Sequence, residues 1–202
     1  MLDETYETYE KPATNRDAPL VFTFHGTGGN EMQFSGLVGE ILPDAAIISP
    51  RGDVLEFGAA RFFRRTGEGV YDMDDLNRRT EKMARFIALH RAANEGRPVY
   101  GIGYSNGANI LAAVLFKHPG LFDRAALLHP LIPFEPEKNS GMANTKVLVT
   151  AGRRDPICPL PLTERLTAFL DHQGAIVTSS IHDGGHEIRP QEITAVATFL
   201  KA

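Results

Sequence analysis

Val99-Tyr100-Gly101-Ile102-Gly103-Tyr104-Ser105-Asn106-Gly107-Ala108 carries the chain from a β-rich apolar run into an Ala/Leu-rich segment. Within it, Gly103-Tyr104-Ser105-Asn106-Gly107 is a G-x-S-x-G pattern in the strand-then-helix context that makes such a pattern meaningful. A serine hydroxyl stands exposed at a strand-to-helix turn only if the turn is very tight. Glycines on either side remove the side chains that would keep strand and helix apart. The helix that begins after Ser105 also points its first N–H groups and the positive end of its dipole at the turn, where negative charge would be stabilised. A dinucleotide-binding glycine loop fits less well: its third glycine would have to come one residue earlier, and no phosphate-loop lysine follows.

The rest of the pattern supports a strand-helix alternation. Leu20–Phe24, Ala45–Ser49, Val99–Gly103, Arg124–Leu128, Lys146–Thr150 and Ala175–Ile181 read as strands. Between and after them, a stretch ending near Pro43, and Asp72–Ala93, Asn106–Lys117, Leu162–Asp171 and Gln191–Lys201, read as helices. Alternation of this kind predicts βαβ units and a mostly parallel sheet, an α/β fold. Residues 50–71 show no clear period and are expected to form a long loop of the kind that carries function. A proline-rich loop spans Pro130 to Pro136, and no segment is long enough for a lid domain.

At 202 residues, with 43% hydrophobic and 23% charged residues, the chain is sized for one domain with one buried core. The formal net charge of −4 carries no basic stripe with interleaved aromatics, which argues against a nucleic-acid partner. The stretch from Met1 to Lys11 is acidic and polar where a secretion signal would be basic then apolar, and no apolar run is long enough to span a membrane. One cysteine, Cys158, forms no internal disulfide, and with the polar start this predicts a cytoplasmic protein.

A serine nucleophile needs a base, and the base needs a carboxylate to orient it. The chain order Ser, then Asp, then His points to Asp155, in Gly152-Arg153-Arg154-Asp155-Pro156 after a strand, and His186, in Gly184-Gly185-His186-Glu187 after the last strand. Parallel sheets collect their active loops at these carboxyl ends. His129 also ends a strand and is the competing base. His90 and His118 fall on helices, and His25 is expected to anchor its loop. His182 and His186 are four apart with glycines between, which speaks against a helical metal pair, so no metal or cofactor is expected. The glycine-rich turn His25-Gly26-Thr27-Gly28-Gly29 is expected to lend the N–H of Thr27, and Asn106 its own, to an oxyanion hole. Cys158 is expected only to pack.

With these residues placed, the chain resembles the phospholipase/carboxylesterase group of α/β-hydrolases over nearly its whole length. It is most similar there to bacterial hydrolases associated with hydroquinone and catechol resistance. The likeness lies in His25-Gly26-Thr27-Gly28-Gly29-Asn30-Glu31, Arg61-Phe62-Phe63-Arg64-Arg65, Gly103-Tyr104-Ser105-Asn106-Gly107-Ala108-Asn109 and Asp155-Pro156-Ile157-Cys158-Pro159. The resemblance implies an α/β-hydrolase fold and a serine carboxylesterase-like enzyme with Ser105, Asp155 and His186 as its triad, acting on a small ester, thioester or lactone. A fold-sharing binding protein without chemistry is the alternative. Phe62, Phe63, Arg64 and Arg65, with Leu131 and Ile132, are expected to line the substrate pocket, the arginines either contacting an acidic substituent or pairing with Glu68, Asp72 or Asp74 to hold the loop. Oligomeric state is left open.

Overall fold

The computed structural model describes residues 5–202; Met1–Glu4, the start of the polar N-terminal stretch, lie outside the described residues. Eleven strands and five α-helices are described, in the chain order β1 (Thr8–Lys11), β2 (Leu20–Phe24), α1 (Ser35–Ile41), β3 (Ala46–Pro50), β4 (Val54–Glu56), β5 (Ala59–Arg61), β6 (Arg65–Gly67), β7 (Val70–Tyr71), α2 (Met73–Ala93), β8 (Val99–Tyr104), α3 (Asn106–Lys117), β9 (Arg124–Leu128), β10 (Lys146–Gly152), α4 (Leu160–His172), β11 (Ile176–His182) and α5 (Pro190–Lys201).

Seven strands form one sheet in the order β1-β3-β2-β8-β9-β10-β11. All neighbours run parallel except β1, which pairs antiparallel with β3 at one edge. Because strand side chains alternate between faces, one run of β2 residues serves two cores. Leu20, Phe22 and Phe24 pack with residues of α2, α3 and α4, whereas Val21 joins Val38 and Ile41 of α1 and Val196 and Leu200 of α5. Burial on both faces explains why β2 and β3 are mostly apolar rather than alternating, and the two buried hydroxyls they contain, Thr23 and Ser49, satisfy each other at 2.6 Å.

From β2 the chain steps outward to β3, then returns past β2 to β8 on its other side. This reversal opens a crevice above the carboxyl ends of β2 and β8, the place where open parallel sheets bind ligands. Ser105 sits at that point.

Two elements depart from expectation. The segment 50–71 is not a featureless loop: β4 pairs with β5 and β6 with β7 as two small hairpins. Strands of two or three residues are too short for a period to register in sequence. The edge strand β1 also lies in a segment that reads as merely polar, because an edge strand buries little and so needs little apolar patterning.

Candidate active site

Ser105 connects β8 directly to α3, with φ 51° and ψ −116°. A serine in the left-handed region is strained, and the surroundings hold it there. Its N–H donates to the Leu128 carbonyl of β9 at 2.9 Å, and its own carbonyl accepts from Asn109 N–H at 3.0 Å. A Cβ on Gly103 would run into the Gly107 backbone, and one on Gly107 into the Phe24 and His25 carbonyls. The two glycines are what let β2, β8 and α3 meet at one point.

A chain of hydrogen bonds starts at the Ser105 hydroxyl. Its Oγ lies 3.0 Å from His186 Nε2, and His186 Nδ1 lies 2.7 Å from Asp155 Oδ2. With Nδ1–H donating to the carboxylate, Nε2 is left as the acceptor for the serine proton. The other Asp155 oxygen, Oδ1, accepts the N–H groups of Ile157 and Cys158 at 2.8 and 2.9 Å. Burial works to raise the Asp155 pKa, but the Cys158 N–H, the rings of His129 and His186, and the Ile157 N–H outweigh it and hold the carboxyl below its ordinary range. Tyr104 braces His186 from the side: the rings are 5.3 Å apart and the Tyr104 hydroxyl donates to the His186 carbonyl at 2.7 Å. Burial, then the nearby carboxylates, push that phenol up to about 12, so it stays protonated.

His129, the competing base, is neither at the serine nor idle. Its Nδ1 lies 2.8 Å from the same Asp155 Oδ2, and its Nε2 lies 3.0 Å from Glu192 Oε1. Glu192 Oε2 in turn lies 3.0 Å from His182 Nε2. These contacts to Glu192 are close but poorly aligned as hydrogen bonds, so they act more through charge than through direction. His25 does anchor its loop: Nδ1 faces the Gly26 carbonyl at 2.7 Å and Nε2 accepts the Gly52 N–H at 2.9 Å.

The fold therefore gathers two trios whose ligand atoms lie within 4.8 Å of one another, His129-Asp155-His186 and His129-His182-Glu192, which sequence spacing did not reveal. Their donors bear on whether a metal fits. His182 Nδ1 accepts the Gly184 N–H at 2.9 Å, so the ring proton sits on Nε2, the nitrogen that faces Glu192. A protonated nitrogen has no lone pair for a metal. In the other trio, both histidines present Nδ1 to one carboxylate oxygen that accepts from both.

A cavity of about 600 Å³ opens over Ser105, lined among others by Thr27, Arg61, Arg65, Tyr71, Tyr104 and Leu131. Thr27 and Asn106 both border it, as an oxyanion hole would require. Phe62 and Phe63 do not: both are fully buried in the main core, Phe62 against Phe24 and His25, Phe63 against Tyr71. The Phe62 N–H instead donates to Asn106 Oδ1 at 2.8 Å, tying the hairpin segment to the turn. Apolar character alone does not separate a pocket wall from a core.

Arg64 also lies outside the cavity. Its side chain is exposed, and its N–H donates to Asp75 Oδ2 at 2.8 Å. Arg65 does line the cavity, paired with Glu56 at 3.0 Å rather than with Glu68, Asp72 or Asp74. Arg61 stands beside it, with 6% of its side chain exposed, 3.2 Å from Glu56 and 3.0 Å from Thr27 Oγ1. Leu131 lines the cavity as expected, but Ile132 turns to the core and to a separate cavity beside α4. The wall near Leu131 is set by Asn109, which accepts the Leu131 N–H at 2.7 Å and donates to the Tyr71 hydroxyl at 2.8 Å. Arg61, Tyr71, Tyr104 and Asn109 belong to the site without having been singled out as site residues in the sequence, although Tyr104 lies within the motif and Asn109 just after it.

A seven-stranded, mostly parallel sheet with a serine elbow at its switch point, and an Asp and a His on the loops after β10 and β11, defines an α/β-hydrolase. Comparison with known proteins narrows the class. MhqD of Bacillus subtilis, which carries a provisional hydrolase name, is 40% identical over 196 residues, 96% of each chain. A Bacillus cereus carboxylesterase superposes with a TM-score of 0.93 at 32% identity over 98% of this chain and 95% of its own. Atu2452 of Agrobacterium tumefaciens, a protein of unknown function, does so at 0.94 and 54% identity over 100% and 98%. No family model matches the chain. The protein belongs to the phospholipase/carboxylesterase group of α/β-hydrolases and is an esterase-like hydrolase. Among the described residues, no helix is long and apolar enough to cross a membrane.

Proposed function

We propose that this protein is a serine carboxylesterase acting through an acyl-enzyme on a small ester, thioester or lactone. The carrying observation is the Ser105–His186–Asp155 hydrogen-bond chain, 3.0 and 2.7 Å, at the floor of an open cavity. In this reading Ser105 Oγ attacks the substrate carbonyl as its proton passes to His186 Nε2. Asp155 holds the Nδ1 proton and stabilises the imidazolium. The N–H groups of Thr27 and Asn106 receive the oxyanion, the latter from the first turn of α3. His186 then protonates the leaving alcohol or thiol, and afterwards takes a proton from the water that releases the acyl group. No step calls for a metal or cofactor, and no nucleic acid or membrane takes part. The single free cysteine fits a cytoplasmic setting.

The cavity's chemistry supports a substrate with an aromatic or acidic portion. Tyr71 and Tyr104 offer flat faces, and Arg61 and Arg65 share the single carboxylate of Glu56. Arg65 keeps a third of its side chain exposed and is the more available of the two.

The deciding experiment is labelling with a fluorophosphonate and turnover of p-nitrophenyl esters by wild type and Ser105→Ala. Wild type is expected to label and turn over; the variant should keep its fold and lose about a million-fold in rate, as loss of a triad nucleophile does elsewhere. A variant retaining a tenth of the rate refutes Ser105 as nucleophile, and an unlabelled, inactive wild type supports a binding role. Substrate class is read from Arg65→Ala: kcat/KM should fall selectively for a carboxylated aryl ester over its neutral analogue, by about 1.5–3 kcal/mol of transition-state binding. Equal losses on both esters place Arg65 in the scaffold.

A further inference from the structure

We propose that His129 is a positioning residue: held as an imidazolium between Asp155 and Glu192, it fixes the Asp155 carboxylate and sets how strongly that carboxylate attracts the proton His186 carries during turnover. The proposal rests on the reading of His186 as the base.

Both His129 nitrogens face carboxylate oxygens, Asp155 Oδ2 at 2.8 Å and Glu192 Oε1 at 3.0 Å, with no exposed surface on any of the three side chains. A neutral imidazole has one bare lone pair, and at either nitrogen it would lie within 3.0 Å of a buried carboxylate oxygen, a repulsion that a second ring proton removes. Nδ1–H donates to Asp155, while the Nε2–H faces Glu192 as a charge rather than as an aligned donor, and the ring is a cation. The same conclusion follows from the balance of effects on the ring: burial lowers its pKa, but the Glu192 and Asp155 carboxylates outweigh burial and raise it.

The surrounding groups leave this charge pattern undisturbed. His182, on β11, accepts the Gly184 N–H on Nδ1 and so carries its one proton on Nε2, presenting Glu192 with a neutral ring. Glu192, on α5, also accepts the Arg189 N–H at 2.7 Å. Burial raises its pKa, but His129, the Thr150 hydroxyl of β10 and the Arg189 N–H prevail and lower it, so it is a carboxylate. Tyr104 of β8, with its ring 5.9 Å from that of His129, is a neutral phenol. The Cys158 thiol, which donates to the His129 carbonyl at 3.2 Å, is pushed up by burial and stays neutral. The array is thus Asp155⁻, His129⁺, Glu192⁻ and neutral His182. His186, with its ring 5.2 Å from that of His129, meets a carboxylate already half occupied by another cation.

The backbone is bent to make this arrangement. His129 has φ 49° at the end of β9, a strained conformation for a residue with a side chain, and its N–H is tied to the Thr150 carbonyl at 3.0 Å. The strain turns the ring inward, between the two carboxylates.

Nitrogen NMR of the histidine rings tests this without any substrate. In wild type both His129 nitrogens should be protonated throughout pH 6 to 8. His129→Asn suits the positive φ, and its amide can stand where Nδ1–H donated, while the charge is gone. In that variant the pH at which His186 takes up its proton should rise by about one to two units, the effect of removing a like charge at this range. His129→Asn with Glu192→Gln, which also removes the stranded carboxylate, should bring it back toward wild type. The acid limb of kcat/KM should move by the same amounts, with activity recovered at higher pH. If His129→Asn does not fold, Glu192→Gln alone should make His129 release one ring proton at lower pH than in wild type. An unprotonated His129 nitrogen at pH 7, an unmoved His186 titration in folded His129→Asn, or an unchanged His129 in Glu192→Gln overturns the proposal. Failure of fluorophosphonate labelling with the ring results intact would instead refute only the catalytic reading.

Discussion

At the scale of the residue, the elbow depends on what is missing as much as on Ser105. Gly107 faces the carbonyls of Phe24 and His25, backbone atoms at the end of β2 and just after it that cannot rotate away as a side chain can. A methyl group there forces α3 off β2 and shifts the Ser105 N–H from its 2.9 Å bond to Leu128. Gly107→Ala should therefore destabilise the fold by about 3 kcal/mol, the upper end for overpacking because backbone must move. For a chain of this size that corresponds to a fall in melting temperature of roughly 6–12 °C. If Ser105 is the nucleophile of the proposed mechanism, activity should drop further than stability explains, since a displacement of about 1 Å at an attacking atom costs on the order of a hundredfold. Thermal melts and ester turnover on the same preparation check both; a variant with native melting and native rate would show that the turn has room to spare.

At the scale of the element, the segment between β3 and α2 is what shapes the cavity, and α2 holds it in place. Asp75, buried in the first turn of α2, accepts the Arg64 N–H at 2.8 Å and pairs with Arg78 and Arg79. Burial raises its pKa, but the Arg64 N–H and the arginines overcome that and keep it a carboxylate. Asp75→Ala leaves the Arg64 N–H without its acceptor and should cost about 1–3 kcal/mol. Arg61 and Arg65 ride on the same segment, so KM for a carboxylated ester should rise while kcat changes little. Early proteolytic cleavage within residues 64–72 is the expected accompanying sign, and an unchanged cleavage pattern with unchanged KM would detach the clamp from the site. The helices and long strands were legible in sequence because their apolar periods run for five residues or more; α3 and β9 keep the boundaries their patterns imply. The hairpins were not, since two- and three-residue strands carry no period. Motif and chain order singled out Ser105, Asp155 and His186, and the structure brings these three side chains within hydrogen-bonding distance. The fates of Phe62, Phe63, Arg64 and Ile132 were decided by which way each side chain turns from an irregular backbone, and composition does not encode that.

At the scale of the whole molecule, the sheet order brings histidines and carboxylates from β9, β10, β11 and α5 together in the interior, and this coupling should be visible in stability against pH. Asp155 and Glu192 have pKa values lowered on folding, so their contribution is full above about pH 4.5, where the unfolded carboxyls are ionised, and is lost as pH falls from there. His25 is lowered chiefly by burial, and a depressed histidine means that the unfolded chain binds the extra proton: stability falls as pH drops below about 6.5. His129 is raised, so the sign reverses: its contribution is full below about pH 6.5 and is lost as pH climbs toward its folded value. The two histidines pull down stability on opposite sides of the same point. Melting temperature should therefore peak near pH 6.5 and decline between pH 6.5 and 8, with a slope of at most about 1.4 kcal/mol per pH unit for one proton. That interval lies below the range where unfolded Cys158 would ionise and add its own loss. His129→Asn should be less stable than wild type near neutrality, yet its melting temperature should no longer fall from pH 6.5 to 8, while the decline on the acid side remains. A wild-type melting temperature that rises steadily to pH 8 would mean that His129 gains no proton on folding, and the balance of charges behind His186 would have to be redrawn with a neutral ring between two carboxylates.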